Sequence, residues 1–205
     1  MLRLPDPMLA RTGEIPTAAG WVFEPKLDGF RCLICTHAGR FQARSRRGWE
    51  MSDRLPELRD VLPADVQLDG ELVVWDDSGR PDWHRLGARV LHGDTSIPVS
   101  FIAFDVLACE GLPVTALPYS KRRELLEELD LERPPTVQVV ATFDDGKTLF
   151  QVVCEQGLEG VVAKRARDTY RPGERDWVKT KNRATARFAQ ESARSRRGRT
   201  LTGIS

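Results

Sequence analysis

Lysine is rare in this chain, and most of its lysines stand where an amine could do chemistry. Among the 31 basic residues only six are lysines, and the other 25 are arginines. An amine whose pKa is lowered by burial or by neighbouring cations can lose its proton and act as a nucleophile, whereas a guanidinium stays charged. A single lysine is most often a solvated surface charge, but four of the six fall within short segments rich in other reactive residue types. These four are Lys26, Lys164, Lys179 and Lys181.

Lys26 opens the segment KLDGFR at 26–31, in which the lysine follows a strand-like run and precedes a glycine turn. This segment resembles the KxDGxR signature of the covalent nucleotidyltransferases, the superfamily of ATP-dependent DNA ligases, RNA ligases and mRNA capping enzymes. Five further segments resemble motifs of that superfamily and follow in order along the chain. They are SRRG at 45–48, LDGEL at 68–72, FIAFDVL at 101–107, EGVVAK at 159–164 and WVKTK at 177–181. Together the motifs most resemble bacterial ATP-dependent DNA ligases, including those of end-joining systems.

The resemblance implies that Lys26 attacks the α-phosphorus of ATP, releases pyrophosphate and keeps AMP as a phosphoramidate. The AMP would then pass to a DNA 5′-phosphate, and a 3′-hydroxyl would seal the break. Lys179 and Lys181 stand two apart on a predicted strand, so both point the same way and would face the α-phosphate. By the same resemblance, Arg31 and Arg46 would bind ribose or phosphate oxygens.

Two glutamates are the candidate metal ligands. The resemblance implies that Glu71 lies beside the ribose and the metal ion, and that Glu159 holds the metal directly or through water. Mg²⁺ keeps several waters and takes only one or two carboxylates together with substrate phosphates, so two glutamates suffice. The implied cofactors are therefore ATP, as the AMP donor, and Mg²⁺ or Mn²⁺.

The adenine base is expected to contact Phe104 and Glu24. Alternation along the predicted strand places Phe104 with Ile102 and Val106 on one face, which by itself is typical of an ordinary core position. The resemblance implies instead that the Phe104 ring stacks against adenine and that Glu24 accepts a hydrogen bond from the adenine amino group. Trp177 is interpreted as a packing residue, although its motif includes it.

Other charged residues near the motifs are given simpler roles. Asp28 is expected to fix the loop after the lysine, and Asp69 and Asp76 are expected at turns or strand ends. A turn-like basic segment precedes the last motif, and related ligases carry basic residues there. Arg171 or Arg175 is therefore a candidate for contact with phosphate.

The elements that must position these residues are mostly short strands separated by turns. The residues HAGR at 37–40 predict a hairpin turn between two of the strands. Ser120 is expected to cap one helix, and residues 147–156 form a second whose end is marked by Gly157. Strands are predicted at 21–24, 30–36, 40–45, 66–75, 99–107, 136–141, 160–164 and 176–180.

This pattern predicts an α+β fold of antiparallel sheets flanked by helices, because the alternation of strands and helices of a parallel sheet is missing. The resemblance implies the ATP-grasp-like nucleotidyltransferase domain of DNA ligases. In that family an OB-fold domain usually follows, but only 24 residues remain after Lys181. A five-stranded barrel needs several times that number, so no OB-fold domain is expected within this chain.

Composition indicates a soluble globular protein. The 205 residues are 40% hydrophobic and 30% charged, and no run approaches the ~18 apolar residues that a membrane helix needs. The first ten residues lack the continuous apolar segment of a secretory signal, so a cytoplasmic location is expected. Cys32 and Cys35 lie three apart on a predicted strand, on opposite faces, and are interpreted as core cysteines rather than a metal or redox site.

Charge divides the chain into two parts. Residues 1–182 are expected to form the nucleotidyltransferase domain, and 183–205 a basic, flexible tail. From position 179 onward eight basic residues stand against one acidic residue, a net charge of +7, and the preceding residues carry −6. A basic terminus suits a polyanion such as nucleic acid, although a solvated tail is the more frequent meaning of such a run.

Three functions remain open at this point. The first is a minimal or truncated ATP-dependent DNA ligase acting on nicked or broken DNA, with a separate DNA-repair protein supplying the OB-fold function. The second is an RNA ligase or a capping-type nucleotidyltransferase that uses GTP. The third is a non-catalytic module that binds nucleotide or nicked DNA in a repair complex, against which the intact set of reactive residues argues.

Overall fold

The computed structural model describes residues 3–185. Of the expected tail at 183–205, the part from 186 onward lies outside the described residues. Strands β1 to β10 are Ala10–Thr12, Trp21–Lys26, Phe30–His37, Arg40–Ser45, Val66–Val73, Ser100–Cys109, Leu112–Pro113, Val137–Val139, Gly160–Arg165 and Trp177–Lys181. All eight predicted strands are confirmed, with ends that differ by a few residues.

Within residues 3–185, four α-helices and one 3-10 turn, Ser52–Arg54, accompany these strands. Two helices begin at an aspartate whose side chain accepts hydrogen bonds from backbone amides, Asp82 before α2 and Asp145 before α4. Helices α1 to α4 are Pro56–Arg59, Trp83–Leu91, Tyr119–Glu128 and Gly146–Glu155.

The predicted helix ends are partly confirmed. Gly157 follows α4 with a φ of 67°, and its amide donates a hydrogen bond to the Cys154 carbonyl. The amide of Leu158 donates to the Val153 carbonyl, so the helix ends in a Schellman motif. The expected cap at Ser120 is wrong. α3 starts at Tyr119, two residues earlier than a cap at Ser120 would place it, because the fixed φ of Pro118 suits the entry to a helix; the cap position makes no side-chain hydrogen bond.

The strands form two sheets. The smaller one has the order β1-β10-β9-β2, and the larger one has the order β4-β3-β5-β6-β7 with β8 beside β6. Most pairs are antiparallel, as expected, and the two parallel pairs are β1 with β10 and β6 with β8. The hairpin between β3 and β4 turns through Ala38 and Gly39, both at positive φ, which is the backbone of a type I′ turn.

Three apolar clusters show how the layers stack. One lies between the larger sheet and α1, α2 and α3, a second lies between the two sheets, and a third lies between the smaller sheet and α4. Cys32 belongs to the first cluster and Cys35 to the second, so the prediction that they point to opposite faces as core residues is confirmed. The layer between the two sheets is the one that contains the candidate site.

A local irregularity decides where Phe104 points. In β6, Ala103 pairs with Gly70 but Asp105 pairs with Asp69, so two steps along β6 match one step along β5. Such a bulge shifts the alternation of side chains by one residue. Phe104 therefore faces the layer between the sheets, whereas Val106 packs on the helical side, and the expectation that both share one face is wrong.

Within residues 3–185, no helix is both long and apolar enough to cross a membrane.

Candidate active site

A cavity opens between the two sheets and continues into a wider cleft. Leu9 and Ala10, from the start of the chain, form part of its wall. All nine predicted site residues come together here, although they are spread over most of the chain. Seven line the cavity: Glu24, Lys26, Arg31, Arg46, Glu71, Phe104 and Lys179. The other two, Glu159 and Lys181, line the adjoining cleft, which also contains Lys26.

Lys26 ends β2 at a point where three strands meet. Its register partner on β9 is Gly160, which is also the partner of Lys181 on β10. A Cβ at Gly160 would lie 2.2 Å from the carbonyl oxygen of Thr180, and φ is 153°, so only glycine permits this close approach. The tight packing places Glu159, the residue before this glycine, next to the lysines of both neighbouring strands.

Glu159 is paired with both lysines. The Lys26 Nζ donates to Glu159 Oε2 at 2.6 Å, and the Lys181 Nζ lies 3.6 Å from Oε1. The half-buried Lys179 has a pKa below its usual range, first because of burial and then because Lys26, Lys181 and Arg46 are cations close by. Such a concentration of positive charge is suited to binding polyphosphate.

Glu71 faces this lysine cluster from the larger sheet. Burial raises the pKa of its carboxyl to about 7, while Lys26 and Arg31 oppose the rise and the nearby carboxylates add to it. Gly29 makes the approach possible, since a Cβ there would lie 2.2 Å from the Leu72 carbonyl oxygen and 2.7 Å from the Glu71 Cγ. The glycine of KLDGFR thus seats the lysine loop against the LDGEL strand.

The guanidinium of Arg31 is held in place by a buried carboxylate, that of Asp69. Its Nε and Nη2 each donate to Asp69 at 2.5 Å, and Tyr170 Oη donates to the same carboxylate at 2.7 Å. Burial opposes the charge of Arg31, but Asp69 outweighs it and raises the guanidinium pKa. The expected turn or strand-end role of Asp69 is wrong, because the residue is fully buried within β5. The guanidinium also donates to the Met8 carbonyl at 3.1 Å.

The opposite end of the cavity is aromatic and encloses a buried ion pair. Lys164 Nζ lies 2.8 Å from Glu24 Oε1, and Tyr119 Oη donates to that same oxygen at 2.6 Å. The Phe104 ring meets Trp177 edge to face with centroids 6.0 Å apart, and Trp177 also packs against Tyr170. The prediction that Trp177 is a packing residue is confirmed.

Lys164 and Tyr119 both contact Glu24 at the cavity, and the sequence analysis assigned neither of them a role. Lys164 could have been suspected, because it ends a recognised motif and lysine is scarce here. Tyr119 carries no such signal, since it opens α3 and reaches the site only through the tertiary fold.

The rim of the cleft is basic. Arg46 is exposed. Its guanidinium pKa is lowered, first because part of the side chain is shielded from water and then because Arg31, Arg175 and Arg47 are cations nearby. Arg175 therefore lies in the neighbourhood of Arg46. Arg171 instead forms an ion pair with Asp176 at 2.6 Å. Contact between either arginine and phosphate stays a prediction.

The carboxylates of the site suit a cation that relies on its substrate for further ligands. Among residues 3–185, there is no group of three or more His, Cys, Asp or Glu side chains that could hold a metal ion. Glu71 and Glu159 supply carboxylate oxygens on two sides of Lys26, and such oxygens are the ligand type of Mg²⁺ and Mn²⁺. The pair therefore fits a metal that is completed by water and phosphate.

Comparison with known families decides the identity of this arrangement. Residues 7–181 match the family model described as the ATP dependent DNA ligase domain. The chain belongs to this family. The match runs through all six motifs of the ligase domain and ends at Lys181.

Curated relatives agree with this assignment. This chain is 36% identical over 206 residues to the multifunctional non-homologous end joining DNA repair protein LigD of Mycobacterium tuberculosis. The alignment covers 97% of this chain and 26% of that protein. This chain is also 35% identical over 200 residues to DNA ligase C1 of Mycolicibacterium smegmatis, covering 88% of this chain and 57% of the relative. The chain thus spans about a quarter of the length of the mycobacterial LigD proteins that it matches.

Solved structures confirm the predicted fold. A mycobacterial DNA ligase D in complex with ATP and MES superposes with a TM-score of 0.76 at 37% identity, covering 87% of this chain and 60% of that one. The ligase domain of M. tuberculosis LigD gives 0.75 at 36% identity, with 86% and 59% covered. The α+β nucleotidyltransferase fold of DNA ligases is therefore the fold of this chain, and the described part contains no OB-fold domain.

Proposed function

We propose that residues 1–182 are the adenylation domain of an ATP-dependent DNA ligase. Lys26 attacks the α-phosphorus of ATP, a nitrogen–phosphorus bond forms, and pyrophosphate leaves. The AMP then passes to a DNA 5′-phosphate, and the 3′-hydroxyl displaces AMP to seal the strand. The observation that carries the proposal is the position of the Lys26 amine, at the junction of three strands among Glu159, Lys179 and Lys181.

The charges around Lys26 match the demands of that attack. An α-phosphate gains charge in the transition state, and preorganised cations stabilise it in a site sheltered from water. Lys179 and Lys181 lie on the same side of β10 and would supply this charge, while Arg46 at the rim would meet the outer phosphates.

The nucleotide would extend from Lys26 toward the aromatic end of the cavity. Glu24 would accept a hydrogen bond from the adenine amino group, and the Phe104 ring would stack against the base. Arg31, fixed by Asp69, would present its remaining donors to ribose or phosphate oxygens between these two ends.

Glu71 and Glu159 would hold Mg²⁺ or Mn²⁺. A bound divalent ion supplies a Lewis acid that polarises phosphate oxygens. Glu159 would hold the ion with carboxylate oxygens that face two lysines in this structure, since Oε2 lies 2.6 Å from the Lys26 Nζ and Oε1 lies 3.6 Å from the Lys181 Nζ.

Nicked or broken DNA is the proposed acceptor, since relatives of this chain are named as end-joining DNA repair proteins. Those relatives are longer, so a separate repair protein or a further domain is proposed to supply the OB-fold function. The basic segment 183–205 would add phosphate contacts, and the protein would act in the cytoplasm without a membrane partner.

Intact mass spectrometry tests the proposal. The purified chain is incubated with Mg²⁺ and ATP, and separately with GTP, and then with a nicked duplex. We expect one AMP on Lys26 from ATP alone, no adduct in Lys26→Arg because guanidinium stays protonated, and a normal adduct in the exposed-lysine control Lys121→Met.

Other results would point to the other functions. A GMP adduct would indicate a capping-type enzyme. An AMP adduct that is discharged by a nicked RNA and not by DNA would indicate an RNA ligase. Absence of any adduct from folded protein supplied with an OB-fold partner would leave a nucleotide-binding module.

A further inference from the structure

The loop that carries Glu159 has little local stiffness of its own. Glu159 directly precedes β9 and lies between Gly157, at a φ of 67°, and Gly160, at a φ of 153°. Glycine has more conformational freedom than any other residue, so the backbone on either side of this glutamate does little to fix it. Its carboxylate is nevertheless placed between two amines, those of Lys26 and Lys181.

Asn182 anchors this loop from the end of β10. Its backbone amide donates to the Glu159 carbonyl at 2.8 Å, which extends the pairing of β9 with β10 by one residue beyond Lys181. Its side-chain Nδ2 donates to the Leu158 carbonyl at 3.2 Å, and its Oδ1 accepts from the Ala184 amide at 3.0 Å. Asn182 is only 3% exposed, so water competes little for these bonds.

Both peptide planes next to the Glu159 Cα are therefore bonded to one residue. A peptide unit is planar, so the bond to the Leu158 carbonyl also fixes the Glu159 nitrogen, and the bond to the Glu159 carbonyl fixes the plane that follows. The dihedral angles between these two planes set the direction in which the glutamate side chain leaves the backbone. Asn182 thus controls where the Glu159 carboxylate lies.

We propose that Asn182 is a positioning residue for the candidate metal ligand Glu159, whose carboxylate it directs by fixing the backbone on both sides of the Cα. The inference rests on the proposed function, because it takes Glu159 to be a ligand of Mg²⁺ or Mn²⁺. It gives a role to a residue that lies just beyond the last motif.

The asparagine side chain suits this task because it both donates and accepts. Its amide nitrogen donates to the loop before β9, while its oxygen accepts from the chain that leaves β10. Alanine at position 182 would remove both of these bonds. It would keep the backbone bond to the Glu159 carbonyl, so the variant isolates the side chain of Asn182.

Binding of Mn²⁺ measures the position of the carboxylate without relying on catalysis. Electron paramagnetic resonance counts free Mn²⁺ over the full chain saturated with α,β-methylene-ATP, whose bridging carbon blocks the transfer of AMP. The same nucleotide solution without protein is the blank. In Asn182→Ala we expect the Kd of Mn²⁺ for the protein–nucleotide complex to rise about fivefold, the effect of one lost hydrogen bond.

The Kd of ATP without divalent metal should change less than about twofold in the same variant, because the lost bonds direct the metal ligand and not the nucleotide. Thr180→Val is the matched control. It removes a hydrogen bond of similar kind on the same strand, from the Thr180 hydroxyl to the Gly13 carbonyl at 2.9 Å, and should change neither Kd.

A double variant tests whether Asn182 acts through Glu159. Glu159→Gln should weaken Mn²⁺ binding by a factor of its own. Adding Asn182→Ala to it should then weaken binding by less than about twofold more, because the carboxylate that the asparagine directs is already gone. Two factors that multiply in full would show that Asn182 acts independently and would overturn the inference.

Other results would overturn it as well. One is an unchanged Mn²⁺ Kd in Asn182→Ala with native far-UV circular dichroism, and another is an equal loss of ATP binding without metal. If Asn182→Ala is unfolded, Asn182→Ser decides the question. Its hydroxyl keeps the local turn to the Ala184 amide but is too short to reach the Leu158 carbonyl.

The proposed function fails by a different result, namely that the unaltered chain gains no AMP from ATP with the OB-fold partner present. The present inference fails alone if that adduct forms and Glu159→Gln loses Mn²⁺, but Asn182→Ala binds the ion as the unaltered chain does. If Glu159→Gln binds Mn²⁺ normally, the inference is overturned together with the metal role of Glu159, while AMP transfer to Lys26 stands.

Discussion

Replacing Asp69 with asparagine would test whether the buried acid holds Arg31 in place. Asp69 is fully buried and receives two hydrogen bonds from Arg31 and one from Tyr170. Asparagine has a similar shape but offers one acceptor oxygen and no charge. The variant would leave a guanidinium without its counter-charge between the two sheets.

The expected loss follows from the geometry. Removing one partner of a buried ion pair costs about 3 to 5 kcal/mol in free energy of unfolding. The side chain of Arg31 is 16% exposed toward the cavity, so water can solvate part of the orphaned charge, and we expect the lower end, about 3 kcal/mol. With a urea m-value of about 2 kcal/mol/M, the unfolding midpoint of Asp69→Asn should fall by about 1.5 M.

Urea unfolding followed by tryptophan fluorescence and far-UV circular dichroism provides the measurement. Asp6→Asn, at an exposed aspartate, is the matched control and should leave the midpoint unchanged. The double variant Arg31→Met, Asp69→Asn should be more stable than Asp69→Asn alone, because the unpaired charge is gone. A midpoint for Asp69→Asn within about 0.3 M of the control, at equal m-value, would refute the reasoning.

Three further predictions concern the backbone, the titration of the site and the basic tail. Gly160→Ala should unfold at much lower urea than Gly111→Ala, because both have positive φ but only the first Cβ meets a backbone oxygen, at 2.2 Å. In the metal-free protein the carboxyl pKa of Glu71 is raised from 4.5 to about 7. Between pH 4.5 and 7 the folded state therefore binds more protons than the unfolded state, so the free energy of unfolding falls as pH rises through this range. Glu71→Gln should remove that part of the slope in urea titrations from pH 4.5 to 7.5, and an unchanged slope would place the carboxyl pKa near its ordinary value. Deleting residues 186–205, which carry a net charge of +4, should weaken binding to nicked DNA and leave adenylation little changed. The slope of log K against log salt concentration should become shallower by about 0.9 for each phosphate that the tail neutralises. An unaltered slope would show that the tail does not touch the DNA backbone.

Local patterns in the sequence were enough to predict most strands and the turns between them. The run from Phe30 to Ser45, interrupted by a glycine turn, specifies the β3–β4 hairpin because its residues favour strands and Gly39 accepts a positive φ. The alternation of strand faces likewise predicted that Cys32 and Cys35 lie in different core layers.

Features that depend on distant partners could not be predicted in this way. β1 is three residues long and largely polar, so nothing in Ala10–Thr12 reveals a strand that pairs with Trp177–Lys181. Helix α2 was missed as well, since Trp83 and Leu91 are exposed and Gly87 weakens its helical propensity.

The site was predicted in its membership but not in its internal contacts. The resemblance of the motifs to those of the nucleotidyltransferases identified the nine side chains that line the cavity and the adjoining cleft. The partnership of Asp69 with Arg31 depends on the register between β3 and β5, in which Arg31 lies opposite Glu71 and reaches Asp69 diagonally. The bulge that turns Phe104 and Val106 to opposite faces arises from how β6 pairs with β5, which no alternation along one strand contains.

The pairing of β1 with β10 also sets the order in which the protein can be assembled during its synthesis. The larger sheet is built from residues 30–139, whereas the smaller sheet joins strands from the beginning and the end of the described chain. β1 can therefore pair with β10 only after Trp177 and the residues that follow it in that strand have left the ribosome. A nascent chain that has not reached Gly160 presents Lys26 without the carboxylate and amines that surround it. The proposed nucleotide site can therefore be completed only after β10 has been synthesised, so a shortened translation product would lack groups that the proposed reaction needs.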